Sequence, residues 1–403
     1  MAKLPEQPDA IVLCMTWGMS LREWERTGML EREWGLYDAL LAHVRTLVVV
    51  SYGDASDRDV LARIAGTHAS QVHVITNDQA LPGAEYVASL PKRIAPVLAG
   101  SRNIVCKSNQ LAGGDVALRT AQSLRTMLPG CTVAAIARGG YLWSRFLAHE
   151  HGPDSEPAKQ AEQRERTLCQ QADLVVGTTQ DMVRDLTWRY TLESSKTLVI
   201  PNYVMQTASE GTERETGVVL YAGQLVPRKR VDLLIRACEV AMQSAPNLSL
   251  RIVGEGPAQA ELEALAQQCN VPTTFLPRMP HSQLLAHMDR CAVYAQASEL
   301  EGHPKTVIEA MSRGAPVVVT DSPGLSDVVQ HGVSGLRSPA SPEAMGQAIA
   351  GLLMDSDWAN VLGQSARDCT IAALGLPAIL PRELSAYRVA LARASGQALR
   401  AAI

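Results

Sequence analysis

Short apolar, β-branched runs alternate with longer stretches whose apolar positions recur at helical spacing along nearly the whole chain, the pattern of parallel strands joined by crossover helices. The first half offers strand candidates at Ala10 to Met15, Thr46 to Ser51, Val72 to Thr76, Asn103 to Cys106, Thr132 to Ala137, Asp173 to Gly177 and Thr197 to Ile200. The second half offers Gly217 to Ala222, Leu248 to Val253, Thr273 to Leu276, Cys291 to Ala295, Ala315 to Thr320 and Ser334 to Leu336. The predicted class is α/β with parallel sheets covered by helices on both faces. The polar, aperiodic stretch from Met205 to Thr216 separates the two sets. Taking 206–216 as a linker leaves an N-terminal domain over 1–205 and a C-terminal domain over 217–380.

The chain is 403 residues long, which suits two cores rather than one. Its net charge of −4 gives no reason to expect nucleic-acid binding. Eight cysteines are scattered without a Cys-x-x-Cys pair and read as small buried hydrophobes in a reducing compartment. The apolar run Ile11 to Met15 is too short for a signal-peptide core or a membrane span. A cytoplasmic protein is expected, with peripheral contact to the inner face of a membrane left open.

The densest chemistry lies in Glu301-Gly302-His303-Pro304-Lys305-Thr306-Val307-Ile308-Glu309. Pro304 suits the first helical position and Gly314 the stop, so a helix from about Pro304 to Arg313 is predicted. Glu301 then precedes the helix and Glu309 lies on its second turn. The first-turn N–H groups at Lys305 and Thr306, with the helix dipole behind them, would favour phosphate. The carboxylates on either side can accept hydrogen bonds from sugar hydroxyls and from a ribose. The arrangement reads as a clamp for a nucleotide-sugar, the plainer alternative being a solvated helix face.

From Val218 to Pro339 the chain resembles the donor-binding half of retaining glycosyltransferases of the GT-B fold, family 4, which includes sucrose-phosphate and bacterial cell-surface mannosyl- and glucosyltransferases. The resemblance rests on Gly223-Gln224-Leu225-Val226-Pro227-Arg228-Lys229, Val253-Gly254-Glu255-Gly256-Pro257, the Glu-x7-Glu run, and Gly314-Ala315-Pro316-Val317-Val318 followed by Asp321-Ser322-Pro323-Gly324. A weaker match covers Glu165, Ala172-Asp173-Leu174-Val175-Val176 and Ile200-Pro201-Asn202. It implies two Rossmann-like domains with parallel sheets facing an interdomain cleft, and a last helix, about 381–401, packing back on the first domain.

The resemblance also implies roles. Glu301 would contact the transferred sugar and Glu309 the ribose, and Lys229 would neutralise the diphosphate. Gly223, Gln224, Arg228, Glu255, Arg278, His303, Pro304, Lys305 and Thr306 would complete the donor site. The family carries an Arg where this chain has Gln224, so one cationic partner is replaced, and Arg228, Arg230 and Arg138 are the candidates to supply it. The family's His after the fifth strand is replaced here by Arg138, and its paired glycines after the first strand reduce to Gly18.

The first domain would hold the acceptor, with Gly18, Met19, Trp24, Lys107, Asn109 and Tyr141 on the sugar and acceptor side and Arg138 joining the catalytic groups. Trp24, Arg26, Gly28, Arg32 and Trp34 make an aromatic and basic cluster leading into a helix over Glu33 to Val44, fit for an acidic acceptor or simply for packing under a loop. Asp57-Arg58-Asp59 and Asp355-Ser356-Asp357 have the spacing of a metal-binding Asp-x-Asp but read better as helix starts. No metal or cofactor is expected, the nucleotide-sugar being a co-substrate.

The expected activity is retaining, metal-independent transfer of a hexosyl group from a nucleotide-diphosphate sugar to a hydroxyl of a glycan, glycolipid or glycoprotein, in the setting of bacterial surface polysaccharide assembly. The alternatives are a non-catalytic nucleotide-sugar-binding subunit and a GT-B nucleotide-sugar epimerase. The base, the sugar, the acceptor and the oligomeric state depend on loops and are not readable.

Overall fold

The computed structural model describes residues 7–206 and 213–396. The chain divides into two compact units, Met1–Pro201 with Ile379–Ile403, and Asn202–Ala378. Of the predicted linker, 207–212 lie outside the described residues. The last helix runs Leu376–Ala394, so 397–401 of its predicted span also lie outside them.

The N-terminal unit contains β1 (Ala10–Cys14), β2 (Thr46–Val50), β3 (Val72–Ile75), β4 (Asn103–Ser108), β5 (Thr132–Arg138), β6 (Leu174–Gly177) and β7 (Thr197–Val199). They form one parallel sheet in the order β3-β2-β1-β4-β5-β6-β7. The C-terminal unit contains β8 (Glu215–Ala222), β9 (Ser249–Val253), β10 (Thr273–Leu276), β11 (Cys291–Gln296), β12 (Val317–Thr320) and β13 (Leu336–Ser338), in the order β10-β9-β8-β11-β12-β13, again all parallel. Central strands such as β1 are buried at every position, because helices cover both faces of the sheet. They therefore appear in the sequence as unbroken apolar runs rather than alternating ones.

Each sheet has one place where the connections turn opposite ways, between β1 and β4 in the first and between β8 and β11 in the second. Open α/β sheets leave a crevice beyond the carboxyl ends of strands at such a point. In the C-terminal unit, the segments leaving β8 and β11 carry Gly223 to Lys229 and Ala297 to His303, so the topology alone brings those two stretches together. In the N-terminal unit the corresponding segments carry Trp17 to Ser20 and Asn109 to Gly113.

Every predicted strand is present with its ends within two residues of the expected ones; β8 begins at Glu215, inside the predicted linker, and β12 at Val317 rather than Ala315. β4 extends past the apolar run through Lys107 and Ser108, since the Ser108 hydroxyl accepts from the Arg138 N–H (2.9 Å) and donates to the Arg138 carbonyl (3.0 Å). β13 begins two residues late because Gly335 is pressed against Val317, where a Cβ would lie 2.4 Å from a Val317 methyl.

The two Asp-x-Asp runs part company. Asp355 caps its own helix, accepting from the Trp358 N–H at 2.9 Å. Asp57 is fully buried and serves a different helix, accepting from the N–H groups of Arg22 (2.9 Å) and Leu21 (3.3 Å) as well as from the Ser51 hydroxyl. Together with the Ser20 hydroxyl, which accepts from Glu23, it satisfies the amino end of the short helix Leu21–Arg26.

Candidate functional site

The C-terminal unit builds its site from two glycine-dependent loops. Gly223 donates to the Val253 carbonyl (3.0 Å), Leu225 to the Glu255 carbonyl (3.1 Å) and Ala258 to the Leu225 carbonyl (3.1 Å), so the segments after β8 and β9 lie against each other. A Cβ on Gly254, whose φ is +147°, would sit 1.9 Å from the Gly223 carbonyl oxygen, and one on Gly256 would sit 2.3 Å from that of Leu225. Only glycine permits this approach. Glu255, between them, turns to Arg278, whose backbone N–H lies 3.4 Å from one carboxylate oxygen and whose Nε lies 3.7 Å from the other. Gln224 is exposed, and its carbonyl accepts from the Tyr221 hydroxyl at 3.0 Å.

Arg228 and Lys229 occupy a single tight turn, Pro227–Lys229, and both point at Glu301. The Lys229 ammonium lies 2.5 Å from Glu301 Oε1 and an Arg228 nitrogen 3.6 Å from Oε2. Gln296, at the end of β11, donates to the same Oε1 at 2.8 Å. Its own oxygen accepts from the Tyr294 (3.1 Å) and Thr306 (3.2 Å) hydroxyls. Gln296 was not a candidate from sequence, and its place at the carboxyl end of a buried strand beside the switch point was the signal available. The Glu301 backbone is fixed as well: its N–H donates to the Pro323 carbonyl (3.0 Å), and Gly324 (φ +84°) comes so close that a Cβ would lie 2.5 Å from the Glu301 carbonyl oxygen.

Burial works against the Glu301 charge, but Lys229 and Arg228 outweigh it and hold the carboxyl below its ordinary value. Burial also pulls the Lys229 ammonium below its ordinary value, with Glu301 opposing. Two cations therefore face one ionised carboxylate, leaving positive charge just ahead of the helix Lys305–Ser312, whose amino end adds its own partial charge.

Pro304 takes the cap position before that helix rather than its first turn, its carbonyl accepting from the Ile308 N–H at 3.2 Å. Gly314, at φ +69°, ends it. His303 is buried, and its carbonyl accepts from the Asn202 side chain at 2.8 Å. Lys305 is half-buried at the first turn. Glu309 is buried on the second turn, where its Oε1 lies 3.1 Å from His281 Nε2. The two carboxylates of the Glu-x7-Glu run thus sit in unlike surroundings, one among cations and one against an imidazole. His281 carries no sequence signal for this pairing.

In the N-terminal unit, Lys107 and Arg138 converge on Glu383 of the last helix. The Lys107 ammonium lies 3.3 Å from Glu383 Oε2 and 3.0 Å from the Tyr387 hydroxyl, and an Arg138 nitrogen lies 2.7 Å from Glu383 Oε1. Lys107 is 1% exposed and sits over the rings of Tyr37 and Tyr387. Burial lowers its pKa to about 8, against the pull of Glu383. Lys107 is therefore part of a buried network.

The aromatic and basic cluster resolves into packing. Trp24 and Trp34 are buried, Arg26 pairs with Glu23 (2.6 Å), and Arg32 lies 3.7 Å from Glu33. Gly18 (φ +75°) and Met19 form the turn after β1, with the Met19 N–H on the Thr16 carbonyl (2.9 Å). Asn109 donates its N–H to the Cys14 carbonyl (2.9 Å), and the Tyr141 ring lies 4.7 Å from that of Phe146. Among the described residues there is no group of three or more His, Cys, Asp or Glu placed to hold a metal ion. Nor is any helix among them long and apolar enough to cross a membrane.

Two parallel-sheet units of this kind are the GT-B architecture of glycosyltransferases, and solved structures bear the fold out. The Anabaena HepE complex with UDP and glucose superposes with a TM-score of 0.71 at 18% identity, covering 93% of this chain and 98% of that one. Sucrose-phosphate synthase from Thermosynechococcus elongatus gives 0.69 at 20% identity, covering 94% and 98%. Residues 206–368, most of the C-terminal unit, match the family model described as glycosyl transferases group 1.

Among curated relatives, a GDP-mannose-dependent alpha-(1-6)-phosphatidylinositol monomannoside mannosyltransferase of Mycobacterium tuberculosis is 33% identical over 39% of this chain and 43% of its own length. A D-inositol 3-phosphate glycosyltransferase of Corynebacterium glutamicum is 27% identical over 53% and 56%. The chain spans about half the length of the curated relatives it matches.

Proposed function

We propose that this protein transfers a hexosyl group from a nucleotide-diphosphate sugar to a hydroxyl of a glycan or glycoconjugate acceptor, with retention at the anomeric carbon and without a metal ion. The observation that carries this reading is the Lys229–Glu301–Arg228 cluster ahead of the helix Lys305–Ser312. A diphosphate seated there meets Lys229, Arg228 and the N–H groups of the first turn, which offset charge on the leaving group. Glu301, ionised and held in place by Gln296 and Gly324, orients the sugar and favours positive charge at the anomeric carbon. The anomeric carbon–oxygen bond to the diphosphate breaks, the acceptor oxygen bonds from the same face, and the departing phosphate takes the acceptor's proton. Glu309, on the same helix, receives the ribose hydroxyls. The named activities of the relatives, mannosyl and inositol-phosphate glycosyl transfer, support the reaction class.

The test begins with thermal stabilisation against nucleoside diphosphates and their sugars with EDTA present, since a ligand of the folded state raises the melting temperature. Turnover and product anomer are then measured for wild type and Glu301→Ala. The reading expects a shift with one nucleoside diphosphate, retention, and loss of turnover in the variant. Binding without turnover under any acceptor would favour a non-catalytic subunit, and inversion would end the retaining assignment.

A further inference from the structure

The N-terminal unit contains a cavity of about 760 Å³ to which the proposed donor chemistry assigns no role. Its walls come from the helices Gly83–Ile94, Gly114–Met127 and Glu156–Gln171, and Trp17 and Tyr52, in the loops just after β1 and β2, line it too. The Trp17 loop adjoins the switch point of the first sheet, the place where such sheets receive ligands.

The wall at Trp17 is held rigid. Gly113, at φ +91°, lies so near Trp17 that a Cβ would be 3.0 Å from its backbone nitrogen and 3.1 Å from its ring. The Trp143 ring meets Trp17 edge-on at 5.6 Å. Gly114 lets the neighbouring helix close in, since a Cβ there would lie 2.3 Å from a Leu168 methyl. Stacked on Trp17, at 4.7 Å from its ring centre, is the Arg164 guanidinium, which forms no ion pair among the described residues. A stacked guanidinium keeps its N–H edge in a fixed plane and open to a planar or tetrahedral anion. Asp115 also lines the cavity, 3.9 Å from Arg119 and within the electrostatic reach of Arg164, so two cations act on one carboxylate. Burial pushes the Asp115 carboxyl above its ordinary value while both arginines oppose it. Gln122, Gln163 and Thr167 add neutral donors and acceptors along the walls.

We infer that this cavity binds a hydroxylated ring carrying one phosphate or carboxylate group, with Arg164 and Arg119 on the anion and the amide side chains on the hydroxyls. Resting on the proposed transferase activity, this makes the acceptor an anionic sugar or cyclitol. It moves the acidic-acceptor chemistry from Arg26 and Arg32 to the cavity, with Arg164 stacked on Trp17 and Arg119 beside it.

The experiment is calorimetric titration of the full chain, without nucleotide, using glucose 6-phosphate, glucuronate, glucose and inorganic phosphate as probes. One of the two anionic sugars is expected to bind at least about tenfold more tightly than glucose and than inorganic phosphate, the worth of one charge-assisted contact. Which of them binds tells phosphate from carboxylate. Arg164→Gln should weaken that binding about tenfold, while the melting shift given by the preferred nucleoside diphosphate stays as in wild type. Arg164 is exposed, so the fold should tolerate the change, and Arg119→Gln provides an independent second variant. Equal binding of glucose and its phosphate, no binding of any probe, or anion binding indifferent to both variants would overturn the inference. Loss of the nucleotide shift in wild type would count against the transferase reading instead, leaving the cavity result to stand by itself.

Discussion

Lys107 and Glu383 are separated by 276 residues, yet they meet at 3.3 Å inside the N-terminal unit, where neither is more than 2% exposed. The contact fastens the last helix to the end of β4. It does so with charge rather than with apolar packing alone, because Arg138 shares the same carboxylate. Removing one member of such a cluster strands the others without compensation. Glu383→Gln is therefore expected to cost about 3–5 kcal/mol of stability, read as a fall in the urea midpoint with the slope unchanged.

The same cluster makes stability depend on alkaline pH. Lys107 titrates at about 8 in the folded protein, against an ordinary value of 10.5. Between these values the unfolded chain holds a proton that the folded chain has released. Stability from this group therefore rises with pH across that window, by at most about 3 kcal/mol. Urea midpoints of wild type and Lys107→Met, compared at several pH values from 7 to 10.5, isolate the effect. The wild type should gain on the variant as pH rises, and parallel curves would show that Lys107 does not titrate there.

Backbone constraint at the site can be separated from glycine's general flexibility. Gly254→Ala places a Cβ 1.9 Å from the Gly223 carbonyl, so the loops after β8 and β9 must part. Gly332, at φ +73°, has open space around it. Gly332→Ala should cost about 1 kcal/mol from its backbone conformation alone, and Gly254→Ala about 3 kcal/mol or more with loss of the nucleotide-induced melting shift. Equal costs would mean that the close approach relaxes without consequence.

What the sequence disclosed follows the range of each interaction. The strands were legible because burial on both faces writes a continuous apolar run into consecutive residues, as in β2 and β12. The Glu301 to Glu309 helix was legible because proline and glycine mark its ends locally. The partners of Lys107 and Asp57 were not legible. Glu383 lies far along the chain, and Asp57 caps a helix 35 residues earlier at Arg22, so neither contact leaves a periodic or adjacent trace. Arg26 and Arg32 looked available because their carboxylate neighbours, Glu23 and Glu33, are ordinary helix-surface residues whose pairing a linear reading does not reveal.

The Lys229–Glu301 pair sets a competition that distinguishes binding from turnover. In the free protein the Lys229 ammonium is engaged by Glu301 at 2.5 Å, and under the proposed reaction an arriving diphosphate would have to share it. Glu301→Gln keeps the hydrogen-bonding shape but removes that claim on Lys229, so affinity for a nucleoside diphosphate should stay the same or rise. Turnover should nevertheless fall by about a hundredfold or more, because the negative charge facing the anomeric carbon is gone. Lys229→Met should behave differently, lowering diphosphate affinity about tenfold or more as a charge-assisted contact is lost. The double variant then reports the coupling, which for groups in direct contact should depart from additivity by about 1 kcal/mol or more in melting-derived stability. Nucleoside diphosphate titrations of the three variants, run beside turnover assays, decide the matter. If affinity falls in parallel with turnover in Glu301→Gln, the carboxylate is holding the diphosphate site together rather than serving the sugar.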